Sequence, residues 1–147
     1  DREVAAIEGP PLYPGARDSL LRLGSQPGTL LGVATGKARR GLDHILDLHG
    51  LRDHFVTAQT ADAHPSKPHP SMIHAALSES GCPAGRAVMV GDTDFDILMG
   101  RAAGIATIGV TWGYHPRARL EAAGAGFLID SFEALDAALA ELWDHVA

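Results

Sequence analysis

The sequence predicts an α/β fold in which a doubly wound parallel sheet carries helices on both faces. Three observations predict it. Short, almost wholly apolar runs recur: Leu30-Leu31-Gly32-Val33-Ala34, Ala87-Val88-Met89-Val90 and Ala106-Thr107-Ile108-Gly109-Val110. Segments of helical spacing alternate with them, and apolar strands alternating with helices make a parallel sheet buried on both sides. Two of the runs end in a glycine with polar neighbours, Thr35-Gly36 and Gly91-Asp92, at the carboxyl edge where open, Rossmann-like sheets bind ligands.

Taken in order, residues 1–14 end in Gly9-Pro10-Pro11-Leu12-Tyr13-Pro14 and read as an extended connector, leaving 15–147 as the folded core. A helix is expected over Ala16–Leu23, with Leu20, Leu21 and Leu23 apolar and Gly24 as its stop. The strand at Leu30–Ala34 closes at Thr35-Gly36. Ala38–Leu48 forms the next helix, with Leu42, Ile45, Leu46 and His49 on one side and Gly50 as cap. Phe55-Val56-Thr57 is a short strand. The proline-rich loop Pro65–Pro70 then leads into a helix carrying Ile73, Ala76 and Leu77, ended by Gly81. After the strand into Gly91 come a helix from about Phe95 to Ala103 and the strand Ala106–Val110. The final helix shows Phe132, Leu135, Leu139, Leu142 and Val146 at helical spacing, begun by Asp130 with Glu133 three residues on.

Composition narrows the function. With 147 residues, 46% hydrophobic and 20% charged, the chain is one globular domain able to bury a core without staples. A net charge of −6 and a pI near 5.7 argue against a nucleic-acid footprint, which needs a basic face. Lys37, Arg39 and Arg40 are the densest basic group, and a solvated helix face accounts for them. No apolar run approaches a membrane span, and the single cysteine, Cys82, fits a reducing, cytoplasmic setting. The histidine pairs His44/His49 and His69/His74 are five apart, which misses the helical zinc spacing.

Chemistry gathers at three places. Asp92 follows an apolar strand and Asp96 lies four residues on, in the first turn of a helix. Carboxylates so placed can share a hard divalent cation such as Mg²⁺, or can simply complement the helix dipole. A calcium loop is excluded, because its glycine position holds Ile97 and its closing glutamate position holds Ala103. Thr35-Gly36 offers a hydroxyl and N–H groups to an anion, or a helix N-cap. Lys67 stands before Pro68, which restrains its backbone and aims the ammonium group. A hydroxyl with amides, a fixed cation and a carboxylate-bound metal together make a phosphoryl clamp.

These pieces, in this order, resemble the haloacid dehalogenase (HAD) superfamily of phosphohydrolases. Leu31-Gly32-Val33-Ala34-Thr35-Gly36-Lys37 is similar to its second motif, Ser66-Lys67-Pro68-His69-Pro70 to its third, and Gly91-Asp92-Thr93-Asp94-Phe95-Asp96 to its fourth. Val110-Thr111-Trp112-Gly113-Tyr114, Ala123-Gly124-Ala125 and Leu128-Ile129-Asp130 resemble the phosphoglycolate phosphatase-like branch. The resemblance implies a HAD-like core and a Mg²⁺-dependent phosphatase acting on a small phosphomonoester, itself a small phosphorylated metabolite, through an aspartyl-phosphate. It implies that Thr35 and the Gly36 amide bind the phosphoryl group and that Lys67 neutralises charge. It further implies that Asp92 binds Mg²⁺, that Asp96 holds the metal's water shell or orients Lys67, and that Thr93 adds a supporting hydroxyl.

The family's first motif, Asp-x-Asp-Gly-(Thr/Ser) after an apolar strand, has no counterpart in residues 1–147. It supplies the aspartyl nucleophile. The expectation is therefore a chain lacking the N-terminal nucleophile motif and cap, with residues 1–14 returning from that cap and the chain inactive alone. The strands ending at Thr35 and Gly91 would flank an empty central slot, which another segment must fill unless the two pair directly. A non-catalytic metal- or phosphate-binding regulatory domain is the alternative. A response-regulator receiver is excluded by order, since receivers place their acidic pair early and Thr and Lys late.

Overall fold

The computed structural model describes residues 3–7, 16–26, 28–112 and 116–144. Along them run β1 (Glu3–Ile7), α1 (Ala16–Gly24), β2 (Thr29–Thr35), α2 (Arg39–Leu48), β3 (Phe55–Thr60) and α3 (Ser71–Ser80). Then follow β4 (Ala87–Gly91), α4 (Asp94–Ala102), β5 (Ala106–Val110), α5 (Arg117–Ala123), β6 (Phe127–Ile129) and α6 (Glu133–Asp144). The strands form one sheet in the order β3-β2-β1-β4-β5-β6, and every neighbouring pair is parallel. The fold is the doubly wound parallel sheet that the apolar runs predict.

Alternation of side chains builds two cores on this sheet. Leu31, Val33, Val88, Val90, Ile108 and Val110 point to the face covered by Leu20 and Leu23 of α1, Leu42 and Leu46 of α2, and Leu135 and Leu139 of α6. Ala34, Ala87 and Met89 point the other way, against Met72 and Ile73 of α3 and Met99 of α4. Ile97 of α4 and Leu120 of α5 extend that second layer. Burial of each Val, Leu, Ile or Met side chain among them contributes about 1.5–3 kcal/mol, so the core rather than helix propensity holds the elements. Among the described residues no helix is long and apolar enough to cross a membrane.

The central slot is filled. Glu3–Ile7, within the span expected to be a connector, is a strand: it pairs with β2 on one edge (Ala6 opposite Gly32) and β4 on the other (Ala6 opposite Met89). The reason is tertiary. Without it, two rows of backbone N–H and C=O groups would lie unpaired in the core, each costing about 1–3 kcal/mol. That demand overrides the weak strand preference of Val4-Ala5-Ala6-Ile7. Residues 8–14 of the expected connector, Gly113 and Tyr114 of the tail, and Val146 of the last helix lie outside the described residues.

Three smaller differences follow from local competition. β3 extends to Thr60 rather than stopping at Thr57, its buried Gln59 and Thr60 being polar and so invisible to an apolar count. α5 and β6 are short elements with no separate sequence signal. α6 begins at Glu133, not Asp130. Asp130 does not cap it; its carboxylate accepts from the Thr111 hydroxyl at 2.5 Å and from Arg117 at 3.4 Å, tying β5 to α5.

Candidate active site

The register fixes the heights of the rim residues. Ala6 of β1 is level with both Gly32 and Met89; Thr35 lies three residues beyond Gly32, and Asp92 three beyond Met89. Thr35 and Asp92 thus stand at equal height on the same edge, separated by two strand spacings, about 10 Å. Both are buried, with 2% and 6% of their surface exposed.

The turn after β2 leaves Thr35 available for something other than capping α2. Its Oγ1 accepts from the Lys37 N–H at 3.1 Å, a two-residue turn. α2 starts later, behind Ala38, which offers no side-chain cap. Asp62, from the loop after β3, caps that helix instead: its two carboxylate oxygens accept the Arg39 N–H at 3.3 and 3.2 Å. The Thr60 hydroxyl donates to the same carboxylate. That bond first, and the Arg39 N–H second, hold the Asp62 carboxyl below its ordinary value. Gly36 is exposed, and a Cβ there would meet nothing within 4 Å.

The turn after β4 is tighter. Thr93 is the N-cap of α4 and forms a reciprocal box with Asp96: the Asp96 N–H donates to Thr93 Oγ1 at 3.2 Å, and the Thr93 N–H donates to Asp96 Oδ2 at 3.2 Å. The Thr93 hydroxyl also lies 2.9 Å from Asp96 Oδ2. Gly91 makes room for this carboxylate, since a Cβ there would lie within 2.6 Å of its Oδ2. Lys67, reaching over from the loop before α3, donates from Nζ to the other oxygen, Asp96 Oδ1, at 2.5 Å. Asp96 is wholly buried and the Lys67 side chain 11% exposed, so each charge depends on the other. Asp94, one residue before the exposed Phe95, turns away and pairs with Arg119 of α5 at 2.7 Å.

The structure thus joins Lys67, Asp96 and Thr93 directly and sets Thr35, Gly36 and Asp92 along the same rim. With both Asp96 oxygens engaged, Asp92 is the carboxylate whose position suits a divalent cation. Among the described residues no three His, Cys, Asp or Glu side chains gather to enclose a metal. Mg²⁺ keeps several waters and takes one or two carboxylates, so Asp92 could serve as one of its ligands. Sequence reasoning missed Asp62 and Arg119. Neither has a local signature, because each acts across space on another element's terminus.

A six-stranded parallel sheet with Thr35 at the end of β2 and Asp92 at the end of β4 on one rim defines a Rossmann-like α/β domain. The chain belongs to the haloacid dehalogenase-like hydrolase family, whose model matches residues 3–110. It is 42% identical over 134 residues to a probable phosphatase, IndB, of Dickeya dadantii, covering 89% of this chain and 57% of that protein. It is 33% identical over 125 residues to a phosphoglycolate phosphatase of Vibrio parahaemolyticus, covering 84% and 54%. A solved structure described as a predicted phosphoglycolate phosphatase, from Haemophilus somnus, superposes with a TM-score of 0.79 at 27% identity over 87% of this chain and 57% of that one. The chain spans a little over half the length of these relatives.

Proposed function

We propose that residues 1–147 supply the phosphate- and metal-binding part of a Mg²⁺-dependent phosphomonoesterase that works through an aspartyl-phosphate. The observation that carries this reading is the buried Lys67–Asp96 pair on the rim that also holds Thr35 and Asp92. A lysine so fixed presents a positive charge to an anion without the entropy cost of ordering it. Thr35 and the Gly36 N–H would donate to phosphoryl oxygens. Asp92 would hold Mg²⁺, which when bound adds positive charge against the developing phosphoryl oxygens. Asp96 acts by orienting Lys67, and Thr93 by fixing Asp96.

The acceptor is a carboxylate that residues 1–147 do not contain in the required context, and we assign it to a segment outside them, whose strand would take the central place that Glu3–Ile7 holds here. In the transfer, the bond from phosphorus to the ester oxygen breaks as that to the carboxylate forms, and the alcohol leaves with a proton. Water then attacks the acyl phosphate, releasing inorganic phosphate and restoring the carboxylate. The relatives' names favour a small phosphomonoester of the phosphoglycolate kind as substrate. The net charge of −6 suits neither nucleic acid nor an anionic membrane as partner.

Two measurements test this on the chain itself. Mg²⁺ titrated calorimetrically with inorganic phosphate present should give a binding isotherm that Asp92→Ala abolishes and Asp94→Ala leaves within about twofold. Equal losses would refute the assignment of the metal to Asp92. The 147-residue chain should hydrolyse no phosphomonoester, and robust Mg²⁺-dependent hydrolysis would overturn the placement of the nucleophile outside it.

A further inference from the structure

Lys67 sits in a loop, residues 65–70, whose own hydrogen bonds lie in its middle and at its far end, where the Ser71 N–H donates to His69 Nδ1 at 3.1 Å. Of residues 65–70, Pro65, Pro68 and Pro70 have no N–H to give, and His69 N–H to Ser66 O at 3.1 Å bridges its middle. The two ends of the loop are joined by a side chain instead. His64 lies 2.7 Å from Ser71 Oγ through Nδ1 and 2.7 Å from Gln59 Oε1 through Nε2.

The direction of every hydrogen bond in this chain follows from its far end. The Glu79 carboxylate on α3 can only accept, so the Gln59 amide nitrogen must face it, at 2.8 Å, and the Thr57 hydroxyl donates to it at 3.0 Å. The same amide nitrogen donates to Thr57 Oγ1 at 2.8 Å. Gln59 therefore presents its oxygen to His64, and an amide oxygen can only accept, so His64 carries its proton on Nε2. In the neutral ring Nδ1 then accepts from the Ser71 hydroxyl. One ring, bonded on both nitrogens, links β3 to the residue after the loop's last proline.

From this geometry we infer that His64 is a positioning residue for Lys67: it straps both ends of the 65–70 loop to β3 and so delivers the ammonium group to Asp96. The inference rests on the proposed reading of Lys67 as the phosphate-neutralising cation, but its test does not need catalysis. The chain has two lysines, Lys37 and Lys67, so amine acylation followed by peptide mass spectrometry reports on Lys67 with Lys37 as internal reference. His64→Ala and Ser71→Ala should each raise the labelling of Lys67 relative to Lys37 by about fivefold, the loss of one well-formed hydrogen bond. Ser71→Thr keeps the hydroxyl and should restore the wild-type ratio, which a general loosening of α3 would not do.

If His64→Ala unfolds the chain, both lysines label faster together and the two Ser71 variants decide. An unchanged ratio in Ser71→Ala, or a ratio in Ser71→Thr that matches Ser71→Ala, overturns the strap. A second arm separates the two readings. Inorganic phosphate with Mg²⁺ should slow labelling of Lys67 in the unaltered chain. A strap effect without that protection refutes the phosphate role alone, and protection without a strap effect refutes the strap alone.

Discussion

β3 and β4 are both parallel strands with buried residues, yet they place their polar groups in opposite ways. β4, inside the sheet, is buried throughout and apolar up to its closing Gly91; its chemistry begins only past its tip, at Asp92. β3, at the sheet's edge, buries Thr57, Gln59 and Thr60 along its length and binds them to Glu79, His64 and Asp62. β4 has strands on both edges and helices on both faces and carries no polar side chain along its length; where an interior strand does bury one, as Thr107 of β5, it reaches a loop backbone and accepts from the Gly126 N–H at 3.0 Å. An edge strand can lean its polar groups on a neighbouring helix and loop. The lesson concerns what burial of polarity means. Along the strand it ties elements together, whereas at the tip it stands on the rim where open sheets bind their ligands.

The sharpest way to break the contrast is at the tip of β4. Asp96→Ala removes one partner of a buried ion pair and half of the capping box, and should cost about 3 kcal/mol in urea unfolding. A cost under a third of that would mean that Lys67 finds water readily and the pair is not truly buried. Next in size, the strand bodies can be compared directly. Val88→Thr in β4 adds a hydroxyl with no partner and should cost about 2 kcal/mol, while Thr57→Val in β3 gives up one net hydrogen bond, about 1 kcal/mol. Equal costs would erase the distinction between interior and edge. The smallest effect belongs to Asp62, whose carboxyl is held low by Thr60 and the Arg39 N–H. Such a group stabilises the folded chain above its unfolded value of 3.8, and that contribution fades as pH falls through the lower folded value. Asp62→Ala should speed hydrogen exchange at the Arg39 amide near neutral pH, with the difference vanishing in acid. A difference that persists in acid would show that another group caps α2.

The interior strands β2, β4 and β5 were legible because their burial on two faces writes a nearly unbroken apolar run into the sequence, as in Leu30–Ala34 and Ala87–Val90. Asp96 was legible too, since the helix rule puts a carboxylate in the first turn after Thr93. β1 was not, because Val4-Ala5-Ala6-Ile7 is short, alanine-rich and flanked by charge and proline, and only its two neighbours make it a strand. Asp130 misled for a related reason: its spacing to Glu133 matches a capping box, but the Thr111 hydroxyl competes for the same carboxylate and wins. His64 and Gln59 carried no pattern at all. Their meaning arises from the packing of α3 on β3, and contacts between distant elements leave no local period.

The order of the strands also sets a timetable for synthesis. β1 leaves the ribosome first of the described strands, yet Val4 pairs with Ala87, some eighty residues later. At about 5–20 residues per second, one flank of β1 waits roughly 4–16 seconds for its partner. Throughout that interval the nascent sheet can hold only β1, β2 and β3, with an open edge where β4 will go. An unprotected edge of this kind invites pairing with another chain. The growing polypeptide therefore passes through a stage at which a row of backbone N–H and C=O groups waits unpaired at that edge.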